Sequence, residues 1–263
     1  MQVQQLESDI YVLIGEDLES NSVAFINGDE ALLVNGMASR PDAESLRGFI
    51  EDELRKRARL IVCTHFQSDH LAAFRLFPHA QLIAHHNYRH TFDTELYRSE
   101  EERQNFVEPD ILISNEMTVK WGRCVLDIFH SPGHTMSSLS IDVAAADLII
   151  TGDNVVGNMV YLVYSTPLMF HSELERLRRR GRTHLISGHL GARSSKAIDN
   201  ALHYLNALQK KVEAARQENK SDEAILSIEL ESCLAPGVEG SDFETIFHKR
   251  NLGSIVERKL FAN

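Results

Sequence analysis

The stretch that decides the reading is Arg59-Leu60-Ile61-Val62-Cys63-Thr64-His65-Phe66-Gln67-Ser68-Asp69-His70. It begins as a short apolar run and stops in a cluster of imidazole, amide and carboxylate groups. Such a run reads as a buried strand whose C-terminal end delivers side chains to a site. Three further stretches repeat the design: Ser131-Pro132-Gly133-His134-Thr135, Thr151-Gly152-Asp153 and Ser187-Gly188-His189. In each, an apolar run ends and a His or Asp appears beside Gly, Ser or Thr. Loops at strand ends are where a rigid scaffold displays functional groups. Imidazole and carboxylate are the ligands that zinc, iron or manganese accept. One His at a strand end is an ordinary polar residue. Four such ends in order are a candidate metal centre.

Working outward, the N-terminal residues 9–36 predict three antiparallel strands: Asp9–Gly15, Ser22–Gly28 and Glu30–Gly36. Leu46, Phe49, Ile50 and Leu54 then form a helical stripe, with Ser39 and Pro41 suited to its first turn. Leu71–Phe77 predicts a short helix and Ala80–His86 a buried strand. Residues 87–116 have no clear period and read as helix and loop. Strand character returns over Val119–Ser131, Ser138–Ala144 and Asp147–Asp153. Ser172–Arg180 predicts a helix, Thr183–His189 a strand, and a long helix runs from about Ser194 to Glu218. In the tail, Ser241 with Glu244 and Ser254 with Glu257 each fit a capping box. No linker or internal repeat divides the chain. The expectation is one domain over residues 1–263, with two sheets, helices outside and a helical C-terminal extension from about 194.

Composition narrows the function. The chain has 263 residues and a formal net charge of -11. The acid excess argues against nucleic acid and against an anionic membrane surface. No apolar run approaches the length of a spanning helix. The N-terminus lacks a basic region before an apolar one, so no signal peptide is expected. Cys63, Cys124 and Cys233 are far apart with no CxxC, and read as reduced thiols of a cytoplasmic protein.

The ordered set HFQSDH, SPGHT, TGD and SGH resembles the metallo-β-lactamase superfamily, whose pattern is HxHxDH, then a PGHT-type His, a GD Asp and a GH His. The resemblance runs from about Ser22 to His189, and the ending HKRNLGSIVERKL looks like tails of glyoxalase-II-like members. It implies an α/β fold, the αββα sandwich of two mixed β-sheets flanked by helices. It implies two divalent metal ions, most often zinc, with iron or manganese as alternatives. His65, Gln67 and His134 would form a first site, Asp69, His70 and His189 a second, and Asp153 would bridge them. Such a pair generates a nucleophile at neutral pH without Ser or Cys. Asp69 would also orient the attacking water and shuttle its proton.

The sequence departs from that pattern in three places. Gln67 stands where the family has His, Asn35 where it often has an acid, and Ala72 and Ala73 where it usually has a Gly pair. An amide oxygen is a weaker ligand than imidazole, so the first site is expected to be partly occupied or empty. His85, His86, His130 and His171 are alternative donors there, or else ordinary core and surface residues. Residues 154–170 hold Met159, Tyr161 and Tyr164 and no Lys or Arg. If they line the pocket, it is apolar with phenol donors. The working expectation is a metallo-hydrolase of a small ester, thioester or lactone. A di-iron redox enzyme and a catalytically weakened binding protein are the alternatives. The helical tail could serve as a dimer surface.

Overall fold

A computed structural model describes residues 1–262. Alternation sorts the apolar side chains of each strand onto two faces. In β2 (Ile10–Ile14), Ile10, Val12 and Ile14 face one core and Leu13 another. In β3 (Asn21–Asn27), Val23 and Phe25 share the first core and Ala24 the second. β4 (Glu30–Val34) and β5 (Arg57–Val62) continue the rule, with Leu32, Val34 and Val62 on the same inner side. β1 (Gln2–Glu7), β6 (Gln81–His85) and β7 (Ile111–Ile113) complete a seven-stranded sheet in simple order from β1 to β7. Its first three pairings are antiparallel and its last three parallel.

The second sheet has six strands: β8 (Glu116–Trp121), β9 (Cys124–His130), β10 (Leu139–Val143), β11 (Leu148–Gly152), β12 (His184–Ser187) and β13 (Ala192–Ser194). Only β11 and β12 pair in parallel. Its inner residues, among them Leu126, Ile128, Ile141, Ile150 and Ile186, interlock with those of the first sheet. Trp121 of β8 donates its indole N–H to the Phe25 carbonyl, a 2.9 Å bond between the sheets. A second core lies between the first sheet and α1 (Arg40–Gly48) and α2 (Tyr88–Asp93). A third lies between the other sheet and α4 (Pro167–Arg178), α5 (Lys196–Gln217), α6 (Asp222–Leu226) and α7 (Asp242–Glu257). The order helix, sheet, sheet, helix is the αββα sandwich.

Several local expectations change. β1 is exposed along its whole length, so Gln-Val-Gln-Gln carries no apolar signal for a strand that nevertheless pairs with β2. β7 and β13, three residues each, are too short to show a period. Leu71–Phe77 forms a tight turn over Phe74–Leu76 rather than an α-helix. Residues 87–116 hold α2, the short α3 (Glu100–Arg103) and β7. Ser241 and Glu244 make the reciprocal capping box that starts α7. Ser254 and Glu257 do not, because both lie inside that helix. Among the described residues, no helix is long and apolar enough to cross a membrane.

Candidate metal centre

The motif-bearing strand ends converge at one edge of the sandwich, where the backbone itself joins the sheets. The Leu139 amide donates to the Thr64 carbonyl at 2.6 Å, and the Asn21 amide to the Gly188 carbonyl at 2.7 Å. Asp69, His70, Asp153 and His189 bring one ligand atom each to within 4.8 Å of the others, and His65, His134 and Asp153 form a second such group. Asp153 belongs to both. Gly188 makes the approach possible: a Cβ there would sit 1.9 Å from Asp153 Oδ1. Gly152 has φ +52, and a Cβ on it would crowd Thr64 Oγ1 at 2.8 Å.

His189 and His65 are aimed by hydrogen bonds at their outer nitrogens. His189 Nδ1 donates to the Leu18 carbonyl at 2.8 Å, leaving Nε2 to face Asp69 and Asp153. His65 Nδ1 lies 3.1 Å from Thr64 Oγ1, and that hydroxyl donates to Asn35 Oδ1 at 3.0 Å. The hydroxyl oxygen therefore accepts a hydrogen bond from His65 Nδ1–H, and Nε2 carries no proton. Asn35 also accepts the Thr64 amide at 2.9 Å. A neutral amide oxygen thus supports this loop where an acid would have added a charge. His134 is held through its backbone: its amide donates to Asn154 Oδ1 at 2.7 Å, and Asn154 Nδ2 in turn grips Ser131.

In the second group each ring nitrogen lies near one tetrahedral edge from a carboxylate oxygen, with different oxygens of each Asp facing His70 and His189. Two ligand atoms on a tetrahedral ion at 2.0–2.1 Å lie about 3.3 Å apart. His70 Nε2 is 3.6 Å from Asp69 Oδ1 and 3.5 Å from Asp153 Oδ1. His189 Nε2 is 3.4 Å from Asp69 Oδ2 and 3.2 Å from Asp153 Oδ2. His70 Nδ1 and Nε2, His65 Nε2 and Asp153 Oδ1 are buried without a hydrogen-bond partner among the described residues. Unpaired buried polar atoms are costly, and a coordinated ion is what pairs them. In the first group the contact is different: Gln67 Oε1 lies 2.7 Å from His134 Nε2.

The charges agree. Burial pushes the His65 and His134 imidazoles below their ordinary range, so they remain neutral. Burial alone would raise Asp69, but His70 and His189 outweigh it and hold the carboxyl low. Asp153 is held low in the same way, chiefly by His189 and His65. Burial opposes a proton on His189, yet Asp153 and Asp69 draw its pKa well up. Ionised carboxylates and neutral imidazoles are the states that bind metals, so an entering ion has to displace the proton drawn onto His189.

Above the centre opens a cavity of about 120 Å³. Gln67, Asp69 and Asp153 lie at its floor, and Tyr161, Tyr164, Phe247 and Arg250 are among its walls. Met159 is not: it is fully buried in the core under α4 and α5, because its apolar period gave no direction. The tail was read only as helices, yet Phe247 and Arg250 of α7 close one side. The family-like ending that contains Arg250 was the one signal of this. His85 and His130 stack with centroids 4.1 Å apart and bond the Ser114 and Met136 carbonyls, so they repair nothing at the first group. His86 sits beside His85, and His171 is exposed on α4.

Set beside known proteins, the chain matches the sequence profile of the metallo-beta-lactamase superfamily over residues 15–195. It belongs to that superfamily. A metallo-beta-lactamase from Pontibacter korlensis superposes with a TM-score of 0.65 at 14% identity, covering 78% of this chain and 98% of that one. The inverting sec-alkylsulfatase Pisa1 from a Pseudomonas species gives 0.75 at 12% identity, covering 99% of this chain and 50% of the other. The DIM-1 metallo-beta-lactamase gives 0.61 at 17%, over 75% and 93%. At these identities the likeness is one of fold. No curated protein matches the chain by sequence.

Proposed function

We propose that the chain is a metal-dependent hydrolase of a small ester, thioester or lactone, working through Asp69, His70, Asp153 and His189. The observation that carries the reading is the convergence of their ligand atoms, each within 4.8 Å of the others, together with unpaired buried nitrogens. A divalent cation held by His70, Asp153 and His189, with a fourth position open, would supply Lewis acidity and a water acidified toward neutral pH. Asp69 keeps 18% exposure where Asp153 keeps 3%, so it is the carboxylate positioned to hold the attacking water and accept its proton. Tyr161 and Tyr164 offer hydroxyls to the substrate oxygen. The cavity sets Asp69, Glu95, Glu102 and Asp153 against the single cation Arg250, which disfavours polyanions such as nucleic acid. The known activities of fold relatives, a β-lactamase and an alkylsulfatase, are hydrolytic and compatible with this class.

A second reading is favoured by the Gln67–His134 contact. It makes the first group a closed hydrogen-bonded pair and leaves a single working ion. The two readings share one test. Metal content per chain is measured on purified protein, and turnover of p-nitrophenyl acetate, a thioester and a lactone is followed for the wild type and Asp69→Ala. Hydrolysis that depends on metal and on Asp69 supports the proposal. A metal-loaded wild type that turns over none of the three, or an Asp69→Ala variant as active as the wild type, rejects it.

A further inference from the structure

The superfamily match ends at residue 195, but the wall of the cavity does not. The segment that carries Tyr161 is held from behind by α7, through three side chains. Glu244 Oε1 accepts the Asn158 amide at 2.6 Å and its side-chain N–H at 3.1 Å. Arg258 donates to the carbonyls of Leu162, Val163 and Ser165 at 2.9, 2.7 and 2.8 Å. Between them, Asn251 is fully buried and bonds both neighbours of Tyr161: its Oδ1 accepts the Leu162 amide and its Nδ2 donates to the Val160 carbonyl, each at 2.7 Å. The same Nδ2 donates to Tyr204 Oη at 3.0 Å, and Tyr204 donates on to His248 Nδ1 at 2.8 Å. His248 in turn donates Nε2–H to the Ile228 carbonyl at 2.8 Å. The amide of Asn251 is therefore fixed on both sides.

Tyr161 itself is oriented but not satisfied. Its ring stacks on His134 with centroids 5.8 Å apart and meets Phe247 edge-on at 4.8 Å. Its hydroxyl is buried in the cavity wall with no geometric hydrogen-bond partner among the described residues, and the Arg250 guanidinium nearby, which can only donate, pulls its pKa down against burial and leaves its O–H free. The hydroxyl of Tyr164, by contrast, already accepts the Leu96 amide at 3.1 Å. A buried phenol left unpaired beside a ligand-bearing floor is a donor kept for a ligand. We propose that Asn251 is a positioning residue of this site: by bonding the peptide groups on either side of Tyr161, it sets the direction in which Tyr161 presents its hydroxyl to substrate. The catalytic part of this inference rests on the hydrolase reading above. The positional part does not.

The experiment uses the full chain labelled with fluorotyrosine, whose six tyrosines are resolved by fluorine NMR and assigned by single Phe substitutions. In Asn251→Ala the Tyr161 resonance is expected to shift and broaden, while those of Tyr11 and Tyr88 stay in place. Asn251→Asp keeps the acceptor for Leu162 but loses the donor to Val160, and gives an intermediate shift. It also serves if Asn251→Ala does not fold. A Tyr161 resonance unmoved in a folded Asn251 variant overturns the proposal, because a purely stabilising role lowers Tm without reorienting the ring. On any of the three substrates that the wild type turns over, Tyr161→Phe is expected to lower kcat roughly 100–1,000-fold, as loss of one oriented donor does, and Asn251→Ala to lower it by no more than that. The double variant should be no worse than the worse single. Additive losses refute the coupling. A wild type without turnover sinks the hydrolase reading, and the NMR result still decides the positional claim.

Discussion

Gln67 Oε1 lies 2.7 Å from His134 Nε2, about 0.6 Å closer than two donors on one tetrahedral zinc. An ion entering the first group has to part this pair and accept a weak amide ligand in return. The second group needs no such rearrangement. Wild-type protein is therefore expected to hold close to one zinc per chain, and Gln67→His close to two, by elemental mass spectrometry. Equal ratios in the two proteins would show that Gln67 is not what limits the first site.

Removing the metal is expected to destabilise the fold as well as silence it. The centre gathers two carboxylates and unpaired imidazole nitrogens in a buried space, and an ion that binds only the native state stabilises it by mass action. At a free ion concentration a hundred times Kd this amounts to about 2.7 kcal/mol. Chelation should lower the Tm of the wild type by several degrees and leave His70→Ala nearly unchanged. A chelator that shifts both equally acts somewhere else.

The close approach at Gly188 gives a sharper steric test. Its Cβ in Gly188→Ala would stand 1.9 Å from Asp153 Oδ1 and 2.8 Å from His70 Cε1. Asp153 has to move, and overpacking of this kind costs about 1–3 kcal/mol. The variant is expected to fold with circular dichroism like the wild type but to lose most of its bound metal. Gly253→Ala, at a helical glycine with nothing near its Cβ, is the control that keeps the metal.

How far the sequence could be read follows from what each residue needs. His65, His70, His134, Asp153 and His189 were legible because each ends an apolar run, and a strand that is buried on both faces has only its end for chemistry. The sheets were legible where alternation or a continuous apolar run marked them, as in β2 to β6. β1 was not, since it pairs through its backbone and buries nothing. Met159 and Tyr161 lie two residues apart in one apolar segment, yet one is in the core and the other in the cavity wall. That choice is made by Asn251 and Arg258, 89 to 96 positions away from the carbonyls and amide they hold. No local pattern encodes a contact of that range. Ser254 failed for a related reason: a capping motif names a helix start only where the chain before it is not already helical.

The last prediction concerns pH. Glu95 accepts the Ser68 amide at 3.1 Å and the Ser68 hydroxyl at 2.6 Å, and so fixes the turn that presents Asp69 and His70. Burial first, and the charge of Asp69 second, push its pKa up to about 7, against the pull of those bonds and of Arg98. A carboxyl whose pKa is higher folded than unfolded binds its proton more tightly in the native state. Its stabilising contribution is complete below the unfolded value near 4.5 and is lost as pH rises through 7. The full swing is on the order of 3 kcal/mol. Glu95→Gln, which stays neutral and can keep one acceptor oxygen on Ser68, should remove that slope. In urea titrations of chelator-treated protein, the wild type is expected to weaken relative to the variant between pH 5 and pH 8. Parallel stability curves over that window would mean that Glu95 stays ionised in the fold, and that the turn is held by a charged acceptor rather than a shared proton.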